Sequence, residues 1–251
     1  IGYPVMLKAV GGGGGIGMQA CFGPDDLRSA YERVLRLASA NFSSSGVFLE
    51  RFVAHARHIE VQVFGDGHGR TLSLGTRDCS LQRRNQKVVE EAPAPNLPDE
   101  IVEQLLSSSR ALADSVHYRS AGTVEFVYDI DRGEASFLEM NTRLQVEHPV
   151  TEEVTGVDLV EWMLRLARGE TDMLDALPDT GPAISGHAVE ARVYAEDPGH
   201  DYRPSAGLLT QVEFPAHTRI ETWVDTGTEV SSFYDPMLAK VIAWGADRQQ
   251  A

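Results

Sequence analysis

The chain has 251 residues and carries 37 Asp and Glu against 22 Lys and Arg, a net charge of -15. A surface this acidic repels phosphate backbones and anionic lipid. That argues against nucleic acid and membrane partners and leaves any anionic ligand to be drawn by local donors. Hydrophobic residues make up 42%, enough to core one large domain or one domain and part of another. No run of roughly 18 apolar residues is present to span a membrane, and no signal peptide is visible. The two cysteines, Cys21 and Cys79, have neither disulfide nor metal spacing, so free thiols in a reducing, cytoplasmic setting are expected. The chain opens without Met inside an apparent strand and stops just after another, which reads as a piece of a longer protein.

Residues 5–10 form a short apolar strand that carries Lys8 and runs into the glycines at 11–15. Missing Cβ atoms let backbone N–H groups close on phosphate oxygens. The loop, with Gly14 and Gly15, is therefore a candidate phosphate cradle, and a flexible linker is the plainer alternative. No Gly-Lys-Ser/Thr follows, so it is not a Walker loop. Pro24, Asp25 and Asp26 open a helix whose Leu27, Tyr31, Val34, Leu35 and Ala38 make an apolar stripe. Residues 47–53 read as a strand interrupted by Glu50. Residues 58–64 alternate, with Ile59, Val61 and Val63 on one face and His58, Glu60 and Gln62 on the other.

Residues 76–93 hold the densest basic cluster, Arg77, Arg83, Arg84 and Lys87, with Gln82 and Asn85 as neutral donors. An anion site and a solvated turn with surface ion pairs both fit. Pro98, Asp99 and Glu100 open a second helix with Ile101, Val102, Leu105, Leu106, Leu112 and Ala113 inward. A third helix, 158–169, turns Leu159, Val160, Met163, Leu164 and Ala167 inward and is closed by Gly169. Beyond it the chain is β-rich, with strands expected at 187–194, 208–214, 219–224 and 238–244. Arg192 shares a strand face with Glu190, which a cross-strand salt bridge would explain.

The most informative stretch is 137–152, FLEMNTRLQVEHPVTE. Glu139, Asn141, Arg143, Gln145 and Glu147 fall on alternate positions, and in an extended chain they share one face. A ligand-facing row is the reading that uses all five; a solvated edge strand is the plainer one. Glu125 sits in the middle of the apolar strand 122–128, and a turn at 129–133 would set it beside Glu139. Two carboxylates and the Asn141 carbonyl are the hard oxygen ligands that Mg²⁺ takes, with phosphate and water completing its shell; a buried Glu–Arg pair is the alternative for Glu125. Glycines with a lysine, a basic cluster and a carboxylate pair point to a nucleoside triphosphate with magnesium, a phosphoryl-transfer site. Glu147 is then a candidate general base, and Arg143 a bidentate anion holder.

The segments KAVGGGGGIGM, RDCSLQRRNQKVVEEAPAP, EFVY, FLEMNTRLQVEHPVTE, GHAVEARVYAEDP and YDPMLAKVIAWG, in that order, closely resemble the biotin carboxylase component of biotin-dependent carboxylases. Ile16, Gln19 and Asn85 resemble the urea carboxylase branch, the urea amidolyases and the similar guanidine carboxylases. The resemblance implies an α+β chain with the ATP-grasp fold: a partial lid subdomain at 1–53, a core with the metal and bicarbonate site at 54–180, and a truncated, β-rich biotin carboxylase C-terminal subdomain at 181–251. The family's N-terminal domain and its last helical part would lie outside this chain, and the piece alone would be weakly active or inactive.

It further implies that Lys8, Gly14, Gly15, Glu50, Arg51, Phe52, Val53, His58, Gln82 and Asn85 bind ATP, with 50–53 at the adenine. Glu125, Glu139 and Asn141 would hold Mg²⁺ or Mn²⁺. Lys87, Arg143, Gln145, Val146 and Glu147 would hold bicarbonate. Glu147 would deprotonate it for attack on the γ-phosphate, giving carboxyphosphate, and Arg192 would stabilise the biotin enolate that takes up CO₂. The implied partners are bicarbonate, a biotin carboxyl carrier domain and a carboxyltransferase domain on the same polypeptide, and a second copy in a homodimer. Asn85 stands where relatives carry histidine. An acyl-CoA or pyruvate carboxylase, a carbamoyl-phosphate synthetase half and a non-catalytic ATP-binding module are the competing readings. The Arg192 and 83–93 segments fit the carbamoyl-phosphate synthetase poorly, and the intact bicarbonate set argues against a non-catalytic module.

Overall fold

Alternate apolar side chains at Val5, Leu7 and Ala9 make the first strand two-faced. In the computed structural model it lies as β1 (Val5–Ala9) between β2 (Met18–Cys21) and β3 (Val47–Arg51), antiparallel to both. The structure describes residues 1–11, 17–41 and 46–251; the phosphate-cradle expectation, with Gly14 and Gly15, lies outside them. Helix α1 (Pro24–Asn41) packs Ala30, Val34 and Ala38, each four residues on, against Val5, Leu7, Ala9 and Cys21. The Asp26 carboxylate accepts the Phe22 N–H at 3.0 Å before the first turn. Tyr31, expected on the inward stripe, is 48% exposed. With Ala30 against the sheet, the next residue points about 100° away.

Ile1–Ala56, Gln82–Gln86 and Asp129–Asp131 form one compact unit, and Arg57–Leu81, Lys87–Tyr128 and Arg132–Ala251 form the other. The remaining strands are β4 (Ala56–Asp66), β5 (Thr71–Arg83), β6 (Gln86–Ala92), β7 (Arg119–Asp129), β8 (Glu134–Asn141), β9 (His187–Tyr194), β10 (Glu196–Asp197), β11 (Arg203–Pro204), β12 (Gly207–Leu208), β13 (Arg219–Thr222), β14 (Glu229–Val230) and β15 (Met237–Gly245). The helices after α1 are α2 (Asp99–Ser115), α3 (His148–Thr155), α4 (Leu159–Ala167) and α5 (Asp172–Asp175). Eight strands make one sheet in the order β13-β15-β9-β6-β5-β4-β7-β8, so β6 and β9, about a hundred residues apart in sequence, run side by side. β10–β11 and β12–β14 form two further two-stranded sheets.

The stretch 76–93, for which a solvated turn is one of the two readings, is two long strands turned by Arg84 (φ 53°) and Asn85 (φ 63°). Two successive left-handed residues are the type I′ hairpin turn that matches strand twist. Arg77 therefore sits in mid-strand. The register of β4 against β5 shifts between Val61 and Val63, opposite Gly75 at φ 98°, a bulge position where a side chain is strained.

One core cluster gathers Ile59, Val61, Val63, Leu105, Val124 and Phe126; another gathers Phe64, Leu72, Leu74, Leu159, Trp162 and Leu174. In α4, Trp162 meets Phe64 edge-on at 5.3 Å. That contact turns the helix so that Leu159, Trp162 and Leu166 are buried, while Val160 and Leu164, expected inward, are 46% and 61% exposed. Ala167 is exposed too. Leu112 likewise lies outside the α2 face set by Leu105, Ser109 and Ala113. The strand expected at 208–214 forms only as β12. Beyond it Leu209 gives its N–H to the Thr228 carbonyl, and Val212 gives its own to the Thr226 hydroxyl instead of a ladder partner.

The row expected to run extended through 147 is cut short. β8 ends at Asn141, and α3 starts at His148 with Pro149 in its first turn. Proline's fixed φ suits a helix start. Gly156, at φ 70°, closes α3, and Asp158 caps α4 by accepting the Glu161 N–H at 2.7 Å.

Candidate active site

In the second unit, the strands and the entry to α3 bring four acids and three cations together. The Lys87 ammonium reaches Glu60, Glu125 at 3.0 Å and Glu147 Oε1 at 2.6 Å. Arg192, from β9, gives an Nη2–H to Glu147 Oε2 at 3.1 Å and its Nε–H to Glu90 at 2.7 Å. Glu147 occupies the N-cap of α3, yet its carboxylate caps nothing; both oxygens go to cations from β6 and β9.

Beneath lies Arg77, fully buried. It donates to Glu60 Oε2 at 2.9 Å, to Gln62 at 2.7 Å, and to Thr151, Thr123 and Gln145, each at 3.0 Å. With all of its donors spent inside the protein, Arg77 has none left for an external anion. The basic cluster read from sequence therefore comes apart: Arg77 is a buried strut, Lys87 faces the carboxylates, and Arg83 and Arg84 lie at the hairpin tip in the other unit.

Glu125 Oε1 accepts from Lys87, from the Asn141 amide at 2.9 Å and from the Gln145 amide at 2.9 Å; Oε2 lies 3.0 Å from His58 Nε2. Burial works to raise the Glu125 carboxyl, but the bond to His58 and the Lys87 charge hold it below its ordinary value. For His58, burial opposes the charge, and its bonds to Glu125 and Glu60 outweigh that and lift it to about 9. Glu60 is wholly buried; the desolvation that would raise it is overcome by Arg77, then His58 and Lys87, and it stays well below the carboxylate range. Lys87 and Arg192 are both raised, desolvation being outweighed by Glu60 and Glu147 for the first and by Glu90 and Glu147 for the second.

The Asn141 amide faces both Glu125, at 2.9 Å, and Glu139, at 3.5 Å. The two carboxylates and the carboxamide expected as a cation site therefore converge. Glu139 is exposed, which leaves the cluster open on one side. An amide turned by half a rotation presents its oxygen where its nitrogen now sits, and the three groups then match a hard divalent cation.

The remaining expected residues are distributed as follows. Gln145 and Glu147 are buried, whereas Arg143 is exposed, its guanidinium 3.4 Å from the Asn141 oxygen and from the Leu144 carbonyl. The Val146 carbonyl accepts the Lys240 ammonium at 2.7 Å. In the first unit, Lys8 pairs with Glu50 at 2.9 Å and stands 5.6 Å over the Phe48 ring. Arg51 lies opposite Val5 in the ladder, the Phe52 N–H reaches the Pro4 carbonyl at 3.3 Å, and Val53 is half-buried. Gln82 is half-buried and Asn85 exposed at the hairpin tip. Reading by residue type missed Glu60, Arg77 and Glu90 as parts of the cluster. The available signal was the His58-Glu60-Gln62 alternation on a strand whose other face is wholly apolar.

The chain matches the family described as carbamoyl-phosphate synthase L chain, ATP binding domain, over residues 1–175, and the biotin carboxylase C-terminal domain over residues 190–251. It belongs to the first of these families, whose ATP-binding domain is an ATP-grasp fold of the α+β class. Within that class it is the biotin carboxylase kind, an ATP-grasp part followed by the biotin carboxylase C-terminal part. It is 52% identical to the urea amidolyase of Lachancea kluyveri over 252 residues, 99% of this chain and 13% of that protein. It is 50% identical to the mitochondrial methylcrotonoyl-CoA carboxylase subunit alpha of Mus musculus, over 100% of this chain and 35% of that one. Among solved structures it superposes with a TM-score of 0.89, at 42% identity, on the biotin carboxylase domain dimer of the Hydrogenobacter thermophilus 2-oxoglutarate carboxylase in complex with MgADP, ADP and bicarbonate; the match covers 98% of this chain and 54% of that one. The chain thus spans only a part of the curated relatives it matches.

Proposed function

We propose that this chain is the central part of a biotin carboxylase, which uses ATP and bicarbonate to carboxylate biotin on a carrier domain by way of carboxyphosphate. The observation that carries it is Glu147 held between Lys87 and Arg192 beside the Glu125–Glu139–Asn141 cluster. Bicarbonate is an anion and needs cations together with a base. Lys87, Arg143 and Arg192 supply the cations, with Gln145 and the Val146 backbone as further contacts. Glu147, released as the anion takes over its cations, removes the proton so that the oxygen can attack the γ-phosphate. Glu125, Glu139 and Asn141 would hold Mg²⁺ or Mn²⁺, which when bound neutralises charge on the transferring phosphoryl group. Arg192 then faces the biotin ring.

ATP binding is assigned to His58, Lys8, Gly14, Gly15, Glu50, Arg51, Phe52, Val53, Gln82 and Asn85. The subdomains are a lid at 1–53, a core at 54–180 and the C-terminal part at 181–251. The carrier and carboxyltransferase domains would belong to the same polypeptide. A homodimer is inferred from the dimer named for the H. thermophilus domain. Two buried cysteines outside any disulfide, Cys21 and Cys79, suit a reducing, cytoplasmic setting, and among the described residues no helix is long and apolar enough to cross a membrane. Asn85 and the identity to urea amidolyase favour urea as the final acceptor. The nearly equal identity to the methylcrotonoyl-CoA carboxylase subunit supports an acyl-CoA as the second reading.

The test uses the full-length protein and follows ADP formation with and without bicarbonate and free biotin. Bicarbonate-dependent turnover that rises with biotin and collapses in Glu147→Gln supports the reading. Nucleotide binding without such turnover overturns it.

A further inference from the structure

Glu90 on β6 and Glu190 on β9 stand directly opposite each other in the ladder, and neither is exposed to solvent. One Glu90 oxygen accepts the Arg192 Nε–H at 2.7 Å. Its other oxygen and both oxygens of Glu190 have no hydrogen-bond partner. The charged groups facing the pair are committed elsewhere or repel it. Arg192, on β9, is shared by Glu90 and Glu147. Lys240, on β15, gives to the Val146 carbonyl at 2.7 Å and to Glu221 on β13 at 2.6 Å. Lys87, on β6, is taken by Glu60, Glu125 and Glu147. Glu60 on β4 and Glu147 before α3 add like charge. Two ionised carboxylates side by side in a dry strand pair are costly, and such pairs settle by keeping one member neutral. Arg192 favours the charge on Glu90, which it bonds directly, so the proton falls to Glu190 first.

We propose that Glu190 is held as a neutral carboxylic acid, a positioning residue whose proton lets Glu90 share Arg192 with Glu147. Burial works in that direction, is opposed by the Lys240 charge and reinforced by the facing Glu90, and pushes Glu190 up to about 8. The same burial lifts Glu90 to about 7, less because the Arg192 charge opposes it. Loss of the Glu190 proton would leave two negative charges on the pair, drawing Arg192 toward them and away from Glu147. The consequence for turnover rests on the carboxylase reading above; the proton itself does not.

Two measurements on the full-length protein separate these. The first is infrared difference spectroscopy across a pH titration. A protonated-carboxylic-acid carbonyl band should be present at neutral pH, should titrate away on the alkaline side, and should be missing in Glu190→Gln, which copies the shape of the neutral acid. The second is the pH profile of bicarbonate-dependent ADP formation. The unmodified protein should lose roughly tenfold in rate per pH unit above that titration, and the variant should lose that alkaline limb. A band that persists unchanged in the variant, or superimposable pH profiles, overturns the proposal. If the unmodified protein makes no ADP with bicarbonate, the carboxylase reading fails, and the infrared titration alone still decides the state of Glu190.

Discussion

Lys87 Nζ lies 2.6 Å from one oxygen of Glu147, and Arg192 closes on the other at 3.1 Å. A carboxylate with both oxygens taken by cations has neither oxygen free to meet a substrate proton until something takes the cations from it. On the proposed reading, an entering bicarbonate anion does this. Each cation that turns to the anion leaves an uncovered carboxylate oxygen beside it, so binding and activation of the base become one event. Glu147→Gln keeps the shape and loses the base. It should cut bicarbonate-dependent turnover by about 10²–10⁴-fold and leave ADP affinity, measured by calorimetry, within a small factor of the unmodified protein. A variant that turns over normally removes Glu147 from the mechanism.

Arg77 is a matter of stability. It and Glu60 are both fully buried and bonded to each other. Arg77→Met leaves Glu60 with Lys87 and His58 as its remaining partners, and the threonines and glutamines around it without their donors. A broken buried pair costs about 3–5 kcal/mol, whereas a matched apolar replacement of both members is often neutral. The melting temperature should therefore fall sharply in Arg77→Met and recover in large part when Glu60→Met is added. Additive losses in the double variant would show that no such coupling exists.

The same pair marks where residue-by-residue reading of the sequence stopped. Strands 187–194 and 58–64 were legible because one face of each repeats every second residue, and that period is local. The partner of Glu60 is not local. An arginine seventeen residues on reads as one more member of a basic run until the register sets it opposite Glu60. Arg192 raised the same difficulty: Glu190 was the neighbour in view, yet the bonds run to Glu90 and Glu147 from other elements. The row at 139–147 failed for the opposite reason. Its alternation was real, but Pro149 allows a helix to start at His148, and the chain has to leave the strand before it. Glu125, Glu139 and Asn141 survived this because all three lie within β7 and β8.

The two carboxylates of that cluster should respond differently to removal of charge. Glu139 is exposed and Glu125 is buried with four protein donors on it. Glu139→Gln should weaken Mn²⁺ binding, followed by water proton relaxation, by about tenfold or more with little change in melting temperature. Glu125→Gln should weaken Mn²⁺ and also lower stability by roughly 1–3 kcal/mol, since its donors lose a charged acceptor. Equal melting temperatures for the two variants would contradict the burial argument.

Glu91 and Glu190, on adjacent strands, should give stability opposite dependences on pH. Burial works to raise Glu91, but its bonds to Arg248 and His187 prevail and hold it below its ordinary value of 4.5. The folded state thus binds fewer protons there than the unfolded chain does. Glu91 adds stability that is present above that value and is lost as pH falls through its folded pKa. Glu190 has the reverse sign. Raised to about 8, chiefly by burial, it holds a proton that the unfolded chain releases near its ordinary 4.5. Its contribution is complete below 4.5 and is lost as pH rises through about 8, a change on the order of a few kcal/mol. Urea unfolding across this range should show the decline between about pH 4.5 and 8 flattened in Glu190→Gln and the acid decline below 4.5 flattened in Glu91→Gln. A Glu190→Gln protein that still loses the same stability between about pH 4.5 and 8 would place the titrating group elsewhere.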